Sequence, residues 1–155
     1  MIVRKMRPEE LDVTINLFRY YAGEAAEDNP ALGAEFDEDS VIESIRNRNI
    51  HPEYVWFNAY EGTRPVGFIS ACLTQAPWNK DVMYCHIELI FMLKSHRNMS
   101  AFKQLVNQVE EWGRQFDVQQ ITAGDIGINP ERTQKVYEGV GFKSGCWMSK
   151  EVEYV

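Results

Sequence analysis

The sequence predicts an α/β fold of the α+β kind: a single domain with a mostly antiparallel central sheet flanked by helices. Three observations point there. Segments rich in aromatic and β-branched residues follow one another from Tyr54 to Leu93 with only turn residues between them, as hairpin-paired strands do. Helical periodicity brackets this region, from Leu11 to about Ala25 before it and from Phe102 to Phe116 after it. The chain has 155 residues, enough for one core and too few for two, so a single domain spans 1–155.

Taken in order, Ile2 to Met6 alternates apolar and polar as a short strand does. Arg7-Pro8-Glu9-Glu10 places a proline and two carboxylates where a helix begins. Leu11, Ile15, Phe18 and Ala22 then form one apolar face, and Asn29-Pro30 stops the helix. A second short helix is expected from about Asp39 to Arg48, with Val41, Ile42 and Ile45 inward. Tyr54 to Tyr60, the turn Glu61-Gly62-Thr63-Arg64, and Pro65 to Leu73 form a hairpin. After a loop with Pro77 and Asn79, Val82 to Leu93 is a central strand interrupted by His86 and Glu88. Phe102, Leu105, Val106, Val109, Trp112 and Phe116 mark a strongly amphipathic helix starting near Asn98. Val118 to Ala123 is a further strand, and Asn129-Pro130-Glu131 opens a helix that ends at Gly139 and Gly141. Phe142 to Val155 offers one or two closing strands, giving the order β-α-α-β-β-β-α-β-α-β.

Charge and composition exclude several functions. The net charge of −7 argues against binding nucleic acid through phosphate neutralisation. Eight acids (Glu24, Glu27, Asp28, Glu35, Asp37, Glu38, Asp39, Glu43) and no base lie between Tyr20 and Ile45. Outside that stretch 15 acids meet 16 Lys and Arg, so the excess charge is one local patch, either a solvated surface or one that steers cations. No apolar run approaches the roughly 18 residues that span a bilayer, and Met1 to Arg7 lacks the features of a signal peptide, so a cytoplasmic protein without membrane partners is expected. Cys72, Cys85 and Cys146 show no C-x-x-C spacing and read as small buried apolar residues, and His51 and His96 have no ligand-spaced neighbours, so no metal is assigned.

Two stretches carry chemistry. Asn129-Pro-Glu-Arg-Thr-Gln-Lys-Val-Tyr137-Glu-Gly-Val-Gly141-Phe142 follows a strand and starts a helix. Met92-Leu-Lys-Ser-His-Arg97-Asn98-Met99-Ser100-Ala101-Phe102 joins the central strand to the amphipathic helix. Together with element order and length, these resemble the GNAT superfamily of acyl-CoA-dependent N-acyltransferases. In that family an Arg or Gln precedes x-x-Gly-x-Gly or Ala, and backbone N–H groups at the helix start grip the pyrophosphate of coenzyme A (CoA). Here Arg97 fits, while Ser100 and Phe102 stand in place of the small residues, so the loop is a degraded form of the motif. The resemblance implies that Asn98 to Phe102, with Arg97 and Asn129, contact the cosubstrate acetyl-CoA. Met92 would offer its backbone N–H to the thioester carbonyl, and Tyr137 would protonate the departing thiolate.

Between the two stretches lie His86 and Glu88, expected to share one strand face with Ile90 and Met92 by their spacing of two. By resemblance either is the base that takes the proton of the attacking ammonium; the alternative is that both serve only to satisfy each other or a neighbouring strand. The activity implied is acetyl transfer from acetyl-CoA to a primary amine by direct attack in a ternary complex. The acidic patch favours a cationic acceptor, a small molecule or a protein amine, and the reading admits a homodimer. The alternative is a catalytically inactive GNAT-like protein-interaction module, for which the degraded loop speaks.

Overall fold

The computed structural model describes residues 1–124, 129–145, 150 and 152. Five strands form one sheet in chain order: β1 (Ile2–Lys5), β2 (Tyr54–Glu61), β3 (Arg64–Ala76), β4 (Asn79–Met92) and β5 (Gln120–Ala123). The first four are antiparallel neighbours and β5 runs parallel to β4, since the crossover helix between them returns the chain to the same end. The closing strands expected over Phe142 to Val155, with Cys146, fall largely outside the described residues.

The helices are α1 (Leu11–Asp28), α2 (Pro30–Glu35), α3 (Glu38–Ile50), α4 (Met99–Arg114) and α5 (Pro130–Glu138). The helix start read at Pro8 is a short 3-10 turn over Pro8–Glu10. Asn29-Pro30 ends α1, but Pro30 also begins α2, because a proline at the first helical position gives up an N–H that has no acceptor anyway. Phe116 lies beyond α4, its ring 5.3 Å from that of Trp112. In the turn between β2 and β3, Gly62 takes a φ of 60°, where a side chain is strained.

The sheet is covered on both faces. On one, Met6, Ile15, Leu17, Ile45, Trp56, Phe68 and Phe91 pack beneath α1 and α3. On the other, Val55, Val66, Ile69, Cys85, Ile87 and Met92 pack with Leu105, Val106 and Val109 of α4 and with Tyr137 of α5. Cys85 is fully buried and Cys72 half-buried; burial pushes their thiols up to about 12 and about 11. Neither is a thiolate nucleophile near neutral pH.

β4 departs from the expected alternation. Ser70 of β3 faces Leu89 and Ala71 faces Ile87, so Glu88 is an extra residue with no partner of its own, a β-bulge. The bulge flips the pleat. Cys85 and Ile87 before it, and Ile90 and Met92 after it, all face α4, whereas Leu89 and Phe91 face α1 and α3. His86 and Glu88 therefore do not share a face with Ile90 and Met92. A pattern of two cannot reveal a residue that the neighbouring strand leaves unpaired.

One polar cluster ties β1 and β2 to the start of α1. Arg4 clasps Glu10 with two hydrogen bonds, of 2.5 and 3.0 Å, and the Tyr60 hydroxyl donates to Glu10 at 2.6 Å. Behind them the buried Asn58 amide donates to Thr14 and to the Tyr60 oxygen, and accepts from the Trp56 indole. The Arg4 hydrogen bond, against the cost of burial and with help from Tyr60 and the Arg7 N–H, lowers the Glu10 carboxyl from 4.5 to about 2. Because the folded value is depressed, the stabilisation is whole above about pH 4.5 and is lost as pH falls toward about 2. Glu10→Gln should therefore unfold at lower urea than the parent at pH 6, with the gap closing between pH 4.5 and 2.5. A gap that stays constant over that range would remove Glu10 from the acid response.

Candidate active site

The site arises where β4 and β5 part. Among the described residues the two strands pair from Tyr84 with Gln120 to Ile87 with Ala123, and none pairs with the β5 side of β4 from Glu88 to Met92. The Leu93 N–H donates to the Val66 carbonyl at 2.9 Å, which makes the adjacent Gly67–Met92 pair the non-hydrogen-bonded kind. The N–H and C=O of Met92 consequently point away from β3, into the gap. Gly67 lets β3 close in behind this edge, since a Cβ there would lie 2.6 Å from the Phe91 carbonyl oxygen.

The gap is a cleft of about 410 Å³, floored by Glu88 to Met92 and walled by α1 on one side and by the starts of α4 and α5 on the other. Of the residues singled out in the sequence, Glu88, Met92, Arg97, Asn98, Met99, Phe102, Asn129 and Tyr137 line it. His86, Ser100 and Ala101 do not. His86 is held by the Thr122 hydroxyl across the β4–β5 pair at 2.8 Å, and Ala101 is buried under α4.

The loop before α4 is organised by Asn98 and Arg97. Asn98 caps the helix, its side-chain oxygen accepting from Ala101 N–H at 2.8 Å, while its carbonyl accepts from Phe102 N–H at 3.1 Å. Met99 and Ser100, the first two helical residues, keep N–H groups without an intrahelical acceptor. These two amides, at the positive end of a 16-residue helix and flanked by Lys94 and Arg97, suit an anionic diphosphate. The Phe102 ring turns from the helix start into the core and meets Tyr137 edge-on at 5.1 Å. Phe102 is thus a wall of the cleft and a prop for Tyr137, which is why a bulky residue is tolerated there. Asn129 likewise caps α5 through Arg132 N–H at 3.2 Å.

Tyr137 is 8% exposed, its ring set between Phe102 and Phe142, which lie 5.1 and 5.0 Å away. Across the cleft, both oxygens of Glu88 are taken by Arg48 of α3, at 3.0 Å each. Arg48 in turn bonds the Ser44 hydroxyl and lies over the Tyr54 ring. Arg97 donates to the Met92 carbonyl at 2.7 Å and pairs with Glu24 of α1 at 2.5 Å. The pairing of Arg48 with Glu88 and of Glu24 with Arg97 is not visible in the sequence because the partners lie 40 and 73 residues apart, with no local pattern to mark them. The acidic stretch is also less of a free field than its composition suggested. Glu24 and Glu38 are paired with arginines, and Asp37 caps α3.

The acetyltransferase (GNAT) family model matches residues 19–142, from α1 to the end of the described site. The chain belongs to the GNAT family. No curated protein matches the sequence. Among solved structures, AAC(6')-Iy in complex with the bisubstrate analogue CoA-S-monomethyl-acetylneamine is similar at a TM-score of 0.77 and 18% identity, over 99% of this chain and 98% of that one. The aminoglycoside 6'-N-acetyltransferase AAC(6')-Ig of Acinetobacter haemolyticus reaches 0.73 at 14% identity, over 99% and 100%. The ribosomal-protein-alanine N-acetyltransferase of Brucella melitensis biovar Abortus 2308 gives 0.73 and 14%, over 99% and 100%. At such identities these likenesses speak for the GNAT fold. As a GNAT protein the chain is an acyl-CoA-dependent N-acetyltransferase, and acetyl-CoA is its cosubstrate. Among the described residues no helix is long and apolar enough to cross a membrane.

The Arg97–Glu24 pair allows a test of that loop, since a diphosphate placed there would call on the same guanidinium as the Glu24 carboxylate. Arg97→Ala should weaken acetyl-CoA binding by about 1.5–3 kcal/mol, the loss of a charge-assisted contact. Glu24→Gln should instead strengthen it, and calorimetric titration of both variants reads the two signs. Equal affinities in parent and variants would show that Arg97 does not reach the cosubstrate.

Proposed function

We propose that this GNAT protein transfers the acetyl group of acetyl-CoA directly to a cationic primary amine, with both substrates bound together. The carrying observation is the junction at Glu88. The cleft described above meets a second pocket, between α1, α2 and α3, and Tyr21, Ala25, Glu88 and Leu89 line both. The acetyl-CoA side of the reaction is read in the first pocket and the acceptor in the second, with the acyl carbon reached from either. AAC(6')-Iy, similar in fold, takes a single molecule that joins CoA to an acetylneamine, which supports simultaneous occupancy.

Each group has a role in this reading. The N–H of Met92, turned off the sheet, receives the thioester oxygen as it gains charge, and being part of a strand it needs no reorganisation to do so. Tyr137 stands on the α5 side and donates its hydroxyl proton to the leaving thiolate. An ammonium has no lone pair, so it must lose a proton before attack. Glu88 attracts and orients the acceptor and passes that proton on through water, because Arg48 already occupies both its oxygens in the direction of α3. Glu88 is preferred to His86 since it borders both pockets, while His86 is bound to Thr122. Arg97, Met99 and Ser100 hold the diphosphate, and Asn98 and Asn129 shape the two helix starts at the cleft.

Initial rates with both substrates varied should give intersecting lines; parallel lines would mean an acetylated enzyme and end the direct-attack reading. Tyr137→Phe should keep the fold and the acetyl-CoA affinity and lower kcat by roughly 10²- to 10⁴-fold, as removal of a general acid does. Unchanged kcat would take Tyr137 out of the chemistry.

A further inference from the structure

The second pocket has a chemical character that the charge of the chain does not suggest. Its volume is about 460 Å³, and its walls come from Phe18 and Tyr21 of α1, Phe36 after α2, Val41 of α3, and Leu89 of β4. Phe36 stacks on Phe18 at 5.9 Å with 20° between the planes, and Phe18 stacks on Phe68 at 6.0 Å and 9°. Tyr21 meets Phe18 edge-on at 5.2 Å. These rings are therefore fixed by one another and offer a preformed flat wall rather than an adaptable one.

The polar groups sit at the two ends. At the inner end is the Glu88–Arg48 pair, with side chains 22% and 29% exposed. At the outer end are Glu35 and Asp37, the latter held by its cap on Ser40. Ser44 lies beside Arg48 and Ser40 beside Asp37, each hydrogen-bonded to that neighbour, and apart from Tyr21 the remaining lining is apolar. We propose that the acceptor of this enzyme is a primary amine carried on a compact aromatic or branched apolar body, seated against Phe18 and Phe36 with its nitrogen at Glu88.

The physical case is one of unpaired groups. A polyhydroxylated or polyamine acceptor would turn hydroxyls and extra ammonium groups toward Phe18, Phe36, Val41 and Leu89, where no acceptor or counter-charge meets them, and each such group loses its water without replacement. An apolar body loses no hydrogen bonds there and gains by burial. One ammonium is provided for, since Glu88 lies at the end of the pocket that opens on the cleft. Of the acidic stretch only Glu35 and Asp37 line the pocket, at the end away from Glu88, and Asp37 is spent on its cap of α3. This rests on the reading that the acceptor nitrogen reaches Glu88, and it narrows the cationic acceptor to an apolar monoamine.

The test pairs turnover with binding. Thiol release from acetyl-CoA is followed with 2-phenylethylamine, spermidine and kanamycin as acceptors, and binding of 2-phenylethylamine to the protein saturated with CoA is measured by calorimetry. The expected result is a kcat/KM for the aromatic amine at least tenfold above the other two. Phe36→Ala should raise its KM about tenfold with the acetyl-CoA KM unchanged, and Ala22→Phe, which fills the pocket from α1, should abolish its binding. A tenfold preference for spermidine or kanamycin overturns the proposal, as does an unaltered aromatic-amine KM in both variants. Binding of the aromatic amine that Ala22→Phe abolishes, with no acetyl transfer to any amine, would uphold the pocket while sinking the reaction placed beside it. Absence of that binding, with transfer to another amine, would do the reverse.

Discussion

Everything at the site depends on one backbone constraint: β4 carries an extra residue at Glu88 and then parts from β5. A strand of a central sheet normally spends its N–H and C=O groups on two neighbours, and burying them unpaired is costly. Here the pairing with β3 continues to Met92 while, among the described residues, the pairing with β5 ends at Ile87, so one row of backbone groups faces the cleft. The bulge turns Glu88 toward α3 and restores Ile90 and Met92 to the α4 face, which keeps the core closed under the opened edge. A cleft made in this way is rigid on its β4 side.

Around that edge, charged side chains are held by partners from distant parts of the chain. Arg48 fixes Glu88, Glu24 meets Arg97, and Arg97 reaches the Met92 carbonyl. These half-buried pairs keep charges in place until a ligand competes for them, and their worth for stability is modest. The site's aromatic residues are fixed differently. Phe102 and Phe142 hold the ring of Tyr137, and Phe18 holds that of Phe36, so both Tyr137 and the wall of the second pocket are positioned by ring packing.

The loop before α4 shows how the same helix start can be built from different residues. Glycine at those positions allows close approach of an anion, whereas here Ser100 leaves the second N–H of α4 available and Phe102 turns away to support Tyr137. What the loop loses in access, Lys94 and Arg97 offset in charge.

The amino-acid sequence by itself determined the order of β1 to β5 and of their flanking helices apart from the short α2, the hairpin at Gly62, the helix starts at Asn98 and Asn129, and Tyr137 as a residue of interest, because each depends on neighbours within a few positions. It also carried the family resemblance, which rests on the same local patterns. It did not determine which face His86 and Glu88 occupy, since a bulge is defined by the partner strand, and Ser70 and Ala71 lie 18 and 17 residues before Glu88. Nor could it place Arg48 on Glu88, Glu24 on Arg97, or Phe18 against Phe36 as a pocket wall, for these meet only when α1, α2 and α3 fold over the sheet. The run of acids from Glu24 to Glu43 is plain in the sequence, yet only the tertiary structure decided that part of it is paired and that an apolar pocket lies beneath it. Local interactions are written in the order of residues; the charge and shape of a cleft belong to surfaces brought together from separate segments.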